Sequence, residues 1–116
     1  MTITREHLEL AALAAGHKIY GWCVLCDDRI AYADIGPEES VAWRPHLDGG
    51  DAAQLAARLN IQVVMTPVAA LAGRPDEWRK YHAWHDGTEP DKMRAWRGAV
   101  VLCAAAVGER MRKGGA

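Results

Sequence analysis

Phenylalanine is absent from this 116-residue chain, serine occurs once, at Ser40, and no strongly apolar run exceeds the nine residues from Ala99 to Val107. Without Phe, the large aromatic volume comes mainly from Trp22, Trp43, Trp78, Trp84 and Trp96. Each of these carries an indole N–H that needs a partner if buried. The lone serine follows Glu38-Glu39 with no His-Asp pair placed near it, which gives a serine nucleophile no support. A run of nine is far short of the roughly 20 apolar residues that cross a bilayer as a helix, so no membrane association is expected. An excess of charge is lacking too. Lys plus Arg number 14 against 15 Asp plus Glu, a net charge of −1. No positive field gathers a phosphate backbone, and nucleic acid is not an expected partner. The stretch Met1–His7 has neither a basic start nor an apolar signal core. With only three cysteines, this points to a cytoplasmic protein with free thiols.

What is present is an ordinary globular composition, half apolar and a quarter charged. At this length it predicts one domain spanning residues 1–116. Helical spacing predicts a first helix from about Arg5 to Ala15, capped by Thr4, stapled by Ile3 and Leu8, and stopped by Gly16. Residues 17–33 are rich in β-branched, aromatic and cysteine residues interrupted by Asp27-Asp28-Arg29, and read as a hairpin. Gly36 to Ser40 reads as a loop. A second helix is expected from near Asp48 or Asp51 to Leu59, with Asp51 and Gln54 as a capping pair and Asn60 as the stop. Ile61–Thr66 reads as a strand, Pro67–Asp76 as a loop and Trp78–His85 as a partner strand. A third helix follows, capped by Thr88, with the stripe Met93, Trp96, Val100, Cys103, Val107 and Met111. The order is α-β-β-α-β-β-α, with about 40 per cent helix. Hairpins imply a mainly antiparallel sheet of about four strands, most simply covered by helices on both faces.

One block stands out: Trp43-Arg44-Pro45-His46-Leu47-Asp48-Gly49-Gly50-Asp51-Ala52-Ala53-Gln54-Leu55-Ala56-Ala57-Arg58-Leu59, an aromatic-proline loop and an acidic, glycine-rich turn opening a helix. It resembles the W-x-P-L-x-D-D-G-D-A-x-x-L-A-x-x-L signature of the phage ABA sandwich domain, a family of small phage and prophage proteins with no known activity. Arg44 stands where that family has Asn. The closing run Met93–Gly108 is similar to the family's last helix, A-x-R-x-A-I-V-x-A-A-A-x-I-G. The resemblance implies a three-layer α/β/α sandwich and a bacterial host cytoplasm.

Three constellations have residue types that could carry chemistry. Cys23, Cys26, His82 and His85 have the residue types of a tetrahedral zinc site, but ligands three apart on a strand face opposite sides, so buried thiols and partly exposed imidazoles are the expectation, with no metal or cofactor. Asp48 and Asp51 could hold a cation, but at a helix start they are expected to cap it. Trp78–Trp84 mixes rings and cations as single-strand nucleic-acid platforms do, yet a two-sided sheet strand gives the same pattern. The expected function is therefore a non-enzymatic accessory protein that binds another, unknown protein, with a small-ligand or metal-binding module on Cys23, Cys26, His82 and His85 as the alternative and an enzyme of unfamiliar type using Asp48, Asp51 or a histidine ranked last. Its contact surface is expected on the loops Gly36–Pro45 and Pro67–Asp76. Trp43, Arg44, Pro45, Asp48 and Asp51 are the candidate interaction residues, and a monomer is the expected state.

Overall fold

The computed structural model describes residues 3–23, 30–35, 38–77 and 80–114, with the side chains of 34, 35 and 38–41 left out. The expected Asp27-Asp28-Arg29 turn lies outside the described residues, as do Gly36, Pro37, Trp78 and Arg79.

Helix α1 (Arg5–Ala15) begins and ends where local chemistry dictates. The Thr4 hydroxyl accepts from the His7 N–H at 3.2 Å, and the Thr4 N–H donates to His7 Nδ1 at 3.0 Å, a reciprocal cap with an imidazole in place of the usual carboxylate. Gly16 closes the helix at φ 77°, a left-handed conformation in which a side chain is strained. Helix α2 (Gly49–Leu59) is capped by Asp48, whose carboxylate accepts from the Asp51 N–H, and ends on Asn60 at φ 57°. Helix α3 (Glu89–Gly114) is 26 residues long, more than twice either of the others.

Among the described residues there are six strands in two antiparallel sheets. β1 (Lys18–Trp22), β2 (Ala31–Ile35) and β3 (Glu38–Trp43) form the first, and β4 (Gln62–Met65), β5 (Ala69–Gly73) and β6 (Tyr81–Trp84) form the second. The chain is thus a mixed α+β protein, but its order is α-β-β-β-α-β-β-β-α and not the expected four-stranded one. Both additional strands fall on stretches that read as loops. Glu38-Glu39-Ser40 is polar, yet the segment is held by pairing with β2, Ala33 opposite Val41 and Ala31 opposite Trp43. β5 is Ala-Ala-Leu-Ala-Gly, a weak strand former by composition. It sits between β4 and β6, where neighbours on both sides supply its ladder.

Its small residues have a packing reason. Ala70, Ala72 and Ala83 are fully buried, and the second sheet packs by this face against α3. α3 also packs against α1 and α2, so a helix occupies the middle of the molecule. That explains why α3 buries small residues over much of its circumference: Ala95, Gly98, Ala99, Val100, Val101, Cys103, Ala104, Ala105, Val107 and Gly108. Cover on more than one side is what the apolar Val101, Leu102 and Ala104–Ala106 beside the main stripe predict; at the start of that stripe Met93 is exposed and Trp96 is half-buried against the core.

The closest approach is between α1 and α3. A Cβ built on Gly108 would lie 1.8 Å from the Leu10 carbonyl oxygen, with Leu10 backbone carbon also inside contact distance. Only hydrogen fits there. Gly108→Ala must push two backbones apart and is expected to cost about 3 kcal/mol, read as a lowered denaturant midpoint. Gly114→Ala meets nothing within 4 Å and is expected to change stability by less than about 0.5 kcal/mol. Val100 is completely buried on the same helix. Val100→Asp is expected to abolish cooperative folding, because it places an unpaired carboxylate in the core.

Candidate functional site

The block around Trp43 is a structural corner. Trp43, at the end of β3, is only 3 % exposed, and its ring packs edge-on against His17 with centroids 5.5 Å apart. Pro45 is fully buried and His46 nearly so. The turn that follows is closed by Leu47 and Asp48 N–H groups donating to the Arg44 carbonyl at 2.9 and 2.8 Å. Asp51 reaches back across it, its Oδ2 accepting from the Arg44 N–H at 3.0 Å, while Asp48 Oδ1 accepts from the Asp51 N–H at 3.0 Å. The expected Asp51–Gln54 cap is therefore corrected to Asp48–Asp51, one turn earlier. Arg97 Nε donates to the His46 carbonyl at 3.1 Å and ties the corner to α3. Trp43, Pro45, Asp48 and Asp51 thus join β3 to α2, and of the block's candidate residues only Arg44 faces solvent fully. Trp43 and Pro45 are core residues and do not form part of an interaction surface; for Trp43 this is the plugging of the sheet edge that its residue type favours, since a ring this size at the inner face of a sheet edge is worth more buried than displayed.

The Cys/His set is not brought together in the described residues. Cys23 follows β1 in the first sheet and is disulfide-bonded rather than the free thiol expected. Cys26 lies outside the described residues. His82 is exposed on β6, edge-on to Trp84 at 5.6 Å. His85 is committed at both nitrogens: Nδ1 accepts from the Gly87 N–H at 3.0 Å, so Nε2 carries the proton and donates to the Thr66 carbonyl at 2.9 Å. Cys103 is a buried free thiol on α3, and burial pushes it up to about 11, with Arg74 lowering it and Asp76 raising it as smaller influences. It stays protonated at neutral pH.

The second sheet presents the candidate site. Its strands alternate, so Val63, Ala70, Ala72, Tyr81 and Ala83 turn inward to the core and Val64, Leu71, His82 and Trp84 turn outward. No described helix packs over the outward face. Trp84 is 65 % exposed, the largest exposed fraction among the big apolar side chains of the described residues, and Val68, in the β4–β5 turn, is 54 % exposed. The main chain of both is tied by hydrogen bonds. The Trp84 carbonyl accepts from Arg94 Nη2 at 2.8 Å, and Arg94 Nε is held by Asp91 Oδ1 at 2.6 Å. The turn is knotted by Thr66, whose hydroxyl oxygen accepts from the Val68 and Ala69 N–H groups and donates to the Ala69 carbonyl. The Val68 carbonyl accepts from the His85 N–H at 2.9 Å. A large apolar ring held on a fixed backbone loses little entropy when it is covered.

The polar residues beside it serve as scaffold. The Thr88 hydroxyl and N–H both donate to Asp86 Oδ1, at 2.6 and 2.9 Å, and Asp91 Oδ2 accepts from the Asp86 N–H at 2.8 Å. Thr88 stands just before α3, its carbonyl accepting from the Lys92 N–H at 2.9 Å. These bonds hold Asp86 below its ordinary 3.8, and the Arg94 side chain does the same for Asp91.

Sequence reasoning singled out the Trp78–Trp84 strand but could not tell which of its rings faced water. The alternation itself was the signal: Ala83 inward forces Trp84 outward. No protein-family model matches the chain, and neither the curated proteins nor the solved structures contain a significant match to it.

Two outcomes follow from these environments. Alkylation of the folded protein at pH 8 is expected to leave Cys103 unlabelled until denaturant is added, as mass spectrometry of the peptide containing it will show. Lowered carboxyl values mean stability that is complete above 3.8 and lost as pH falls through the still lower folded values. Asp91→Asn is therefore expected to flatten the fall in melting temperature between about pH 5 and pH 2.

Proposed function

We propose that this chain is a small accessory protein of phage or prophage origin that acts in the bacterial cytoplasm by binding another protein, without catalysis, through the outward face of its second sheet. The observation that carries the reading is Trp84: 65 % exposed, with its own carbonyl held by Arg94. Tryptophan is among the residue types most often found as interface anchors, and an anchor already held in place needs no reorganisation to bind. The phage setting is supported by the Trp43–Leu59 block and the α3 run. Their buried corner and small-residue helix also make sense of why such a pattern would be a fold signature.

The test is affinity capture from lysogenic host cells with wild-type, Trp84→Ala and Trp43→Ala proteins. Trp84→Ala is expected to weaken binding of the captured protein by about 2 kcal/mol, roughly thirtyfold, with an unchanged melting temperature. Trp43→Ala is expected to lose about 3–5 kcal/mol of folding stability instead. Full retention of the partner by folded Trp84→Ala contradicts the proposal.

A further inference from the structure

The second sheet has two edges, and they are treated differently. On β6 the outward carbonyl of Trp84 is covered by Arg94, and Lys80 precedes the strand. Charged residues at an edge are the usual protection against pairing with another chain. β4 has no such protection. The sequence from Leu59 to Gly73 contains no charged residue, β4 itself is Gln-Val-Val-Met, and its register with β5 runs without a bulge.

The ladder shows which groups are left over. The Thr66 N–H donates to the Ala69 carbonyl, so Thr66–Ala69 is a hydrogen-bonded pair. Alternation then makes Val64–Leu71 and Gln62–Gly73 bonded pairs and turns the N–H and C=O of Val63 and Met65 away from β5. No described strand pairs with that side.

We infer that β4 pairs antiparallel with β4 of a second copy of this chain about a two-fold axis at Val64. This register is self-complementary. Val63 of each copy lies opposite Met65 of the other and exchanges two main-chain bonds with it, so four bonds satisfy all four outward groups of both strands. Side-chain parity is kept as well: Val63 and Met65 lie on the inward face in both copies, and Val64 meets Val64 on the outward face, in a non-bonded pair where side chains approach most closely. With no charge within the segment, nothing repels a second copy. A foreign peptide could use the same groups; the chain's own β4 is the uncharged strand of matching length and parity that is present at equal concentration in any solution of the protein. The result is a six-stranded sheet whose outward face carries a Trp84 at each end. The monomer expected from the sequence is replaced because β4 could not be recognised there as an edge. The contact is short, so the dimer forms in a concentration-dependent way.

The experiment is sedimentation equilibrium of the full chain over a concentration series. Wild type is expected to rise from 12.7 kDa toward twice that mass. Val64→Lys and Val64→Glu each place like charges face to face across the axis and are expected to weaken association by roughly tenfold or more, whereas a one-to-one mixture of the two recovers it. Met65→Pro removes an outward N–H while leaving every bond to β5, and is expected to stay folded and monomeric. It decides the matter if the Val64 variants do not fold. Trp84→Ala lies on the far strand and is expected to leave association unchanged, which separates this inference from the proposed function. A wild type that remains at 12.7 kDa to its solubility limit overturns it, as does a dimer that persists in Met65→Pro or a mixture that recovers nothing.

Discussion

The structure depends on how closely α1 can approach α3. Gly108 faces the Leu10 carbonyl with no room for a methyl group, and the surrounding positions, Ala11, Ala12, Ala15, Ala104 and Ala105, are alanines buried to within a few per cent. Small residues on both helices let the backbones come close, so dispersion and apolar burial are gathered from main chain as well as side chain. The arrangement compensates for the absence of Phe: the core is filled by proximity rather than by large rings, and Trp43, the one deeply buried Trp among the described residues, closes its margin.

A helix held this tightly can serve as the centre of the molecule. α1 and α2 lie against α3, and the second sheet covers it through Ala70, Ala72 and Ala83, again small residues that admit close packing. Once that face of the sheet is committed inward, the period of two sends Trp84 outward. The exposed tryptophan is thus a geometric consequence of the core. Arg94 adds to this, since one guanidinium fixes the Trp84 carbonyl and shields the β6 edge, leaving β4 as the open side of the sheet.

Local chemistry was legible in the sequence and tertiary context was not. Thr4, Gly16, Asp48 and Asn60 mark helix ends through interactions within a few residues, and all four stand at or beside the boundaries they predict. β3 and β5 were hidden because Glu-Glu-Ser and Ala-Ala-Leu-Ala-Gly have poor intrinsic strand preference and are strands only through their neighbours. The Trp43 block was visible as a unit, and packing for Trp43 and capping for Asp48 and Asp51 were its expected roles, although the same residue types also serve at interfaces. What decides for a corner is the pair of carboxylates turned to backbone N–H groups. The outward face of the second sheet could not be read at all, since it depends on which side α3 covers.

Native-state hydrogen exchange tests the central role of the α1–α3 contact most directly. If the contact is the element on which the fold rests, amides of Leu8–Ala15 and Ala99–Gly108 exchange only through global unfolding, with one common free energy equal to that from denaturant melts. Exchange of the α1 amides through a lower-energy opening, while α3 and the second sheet stay protected, would contradict the account.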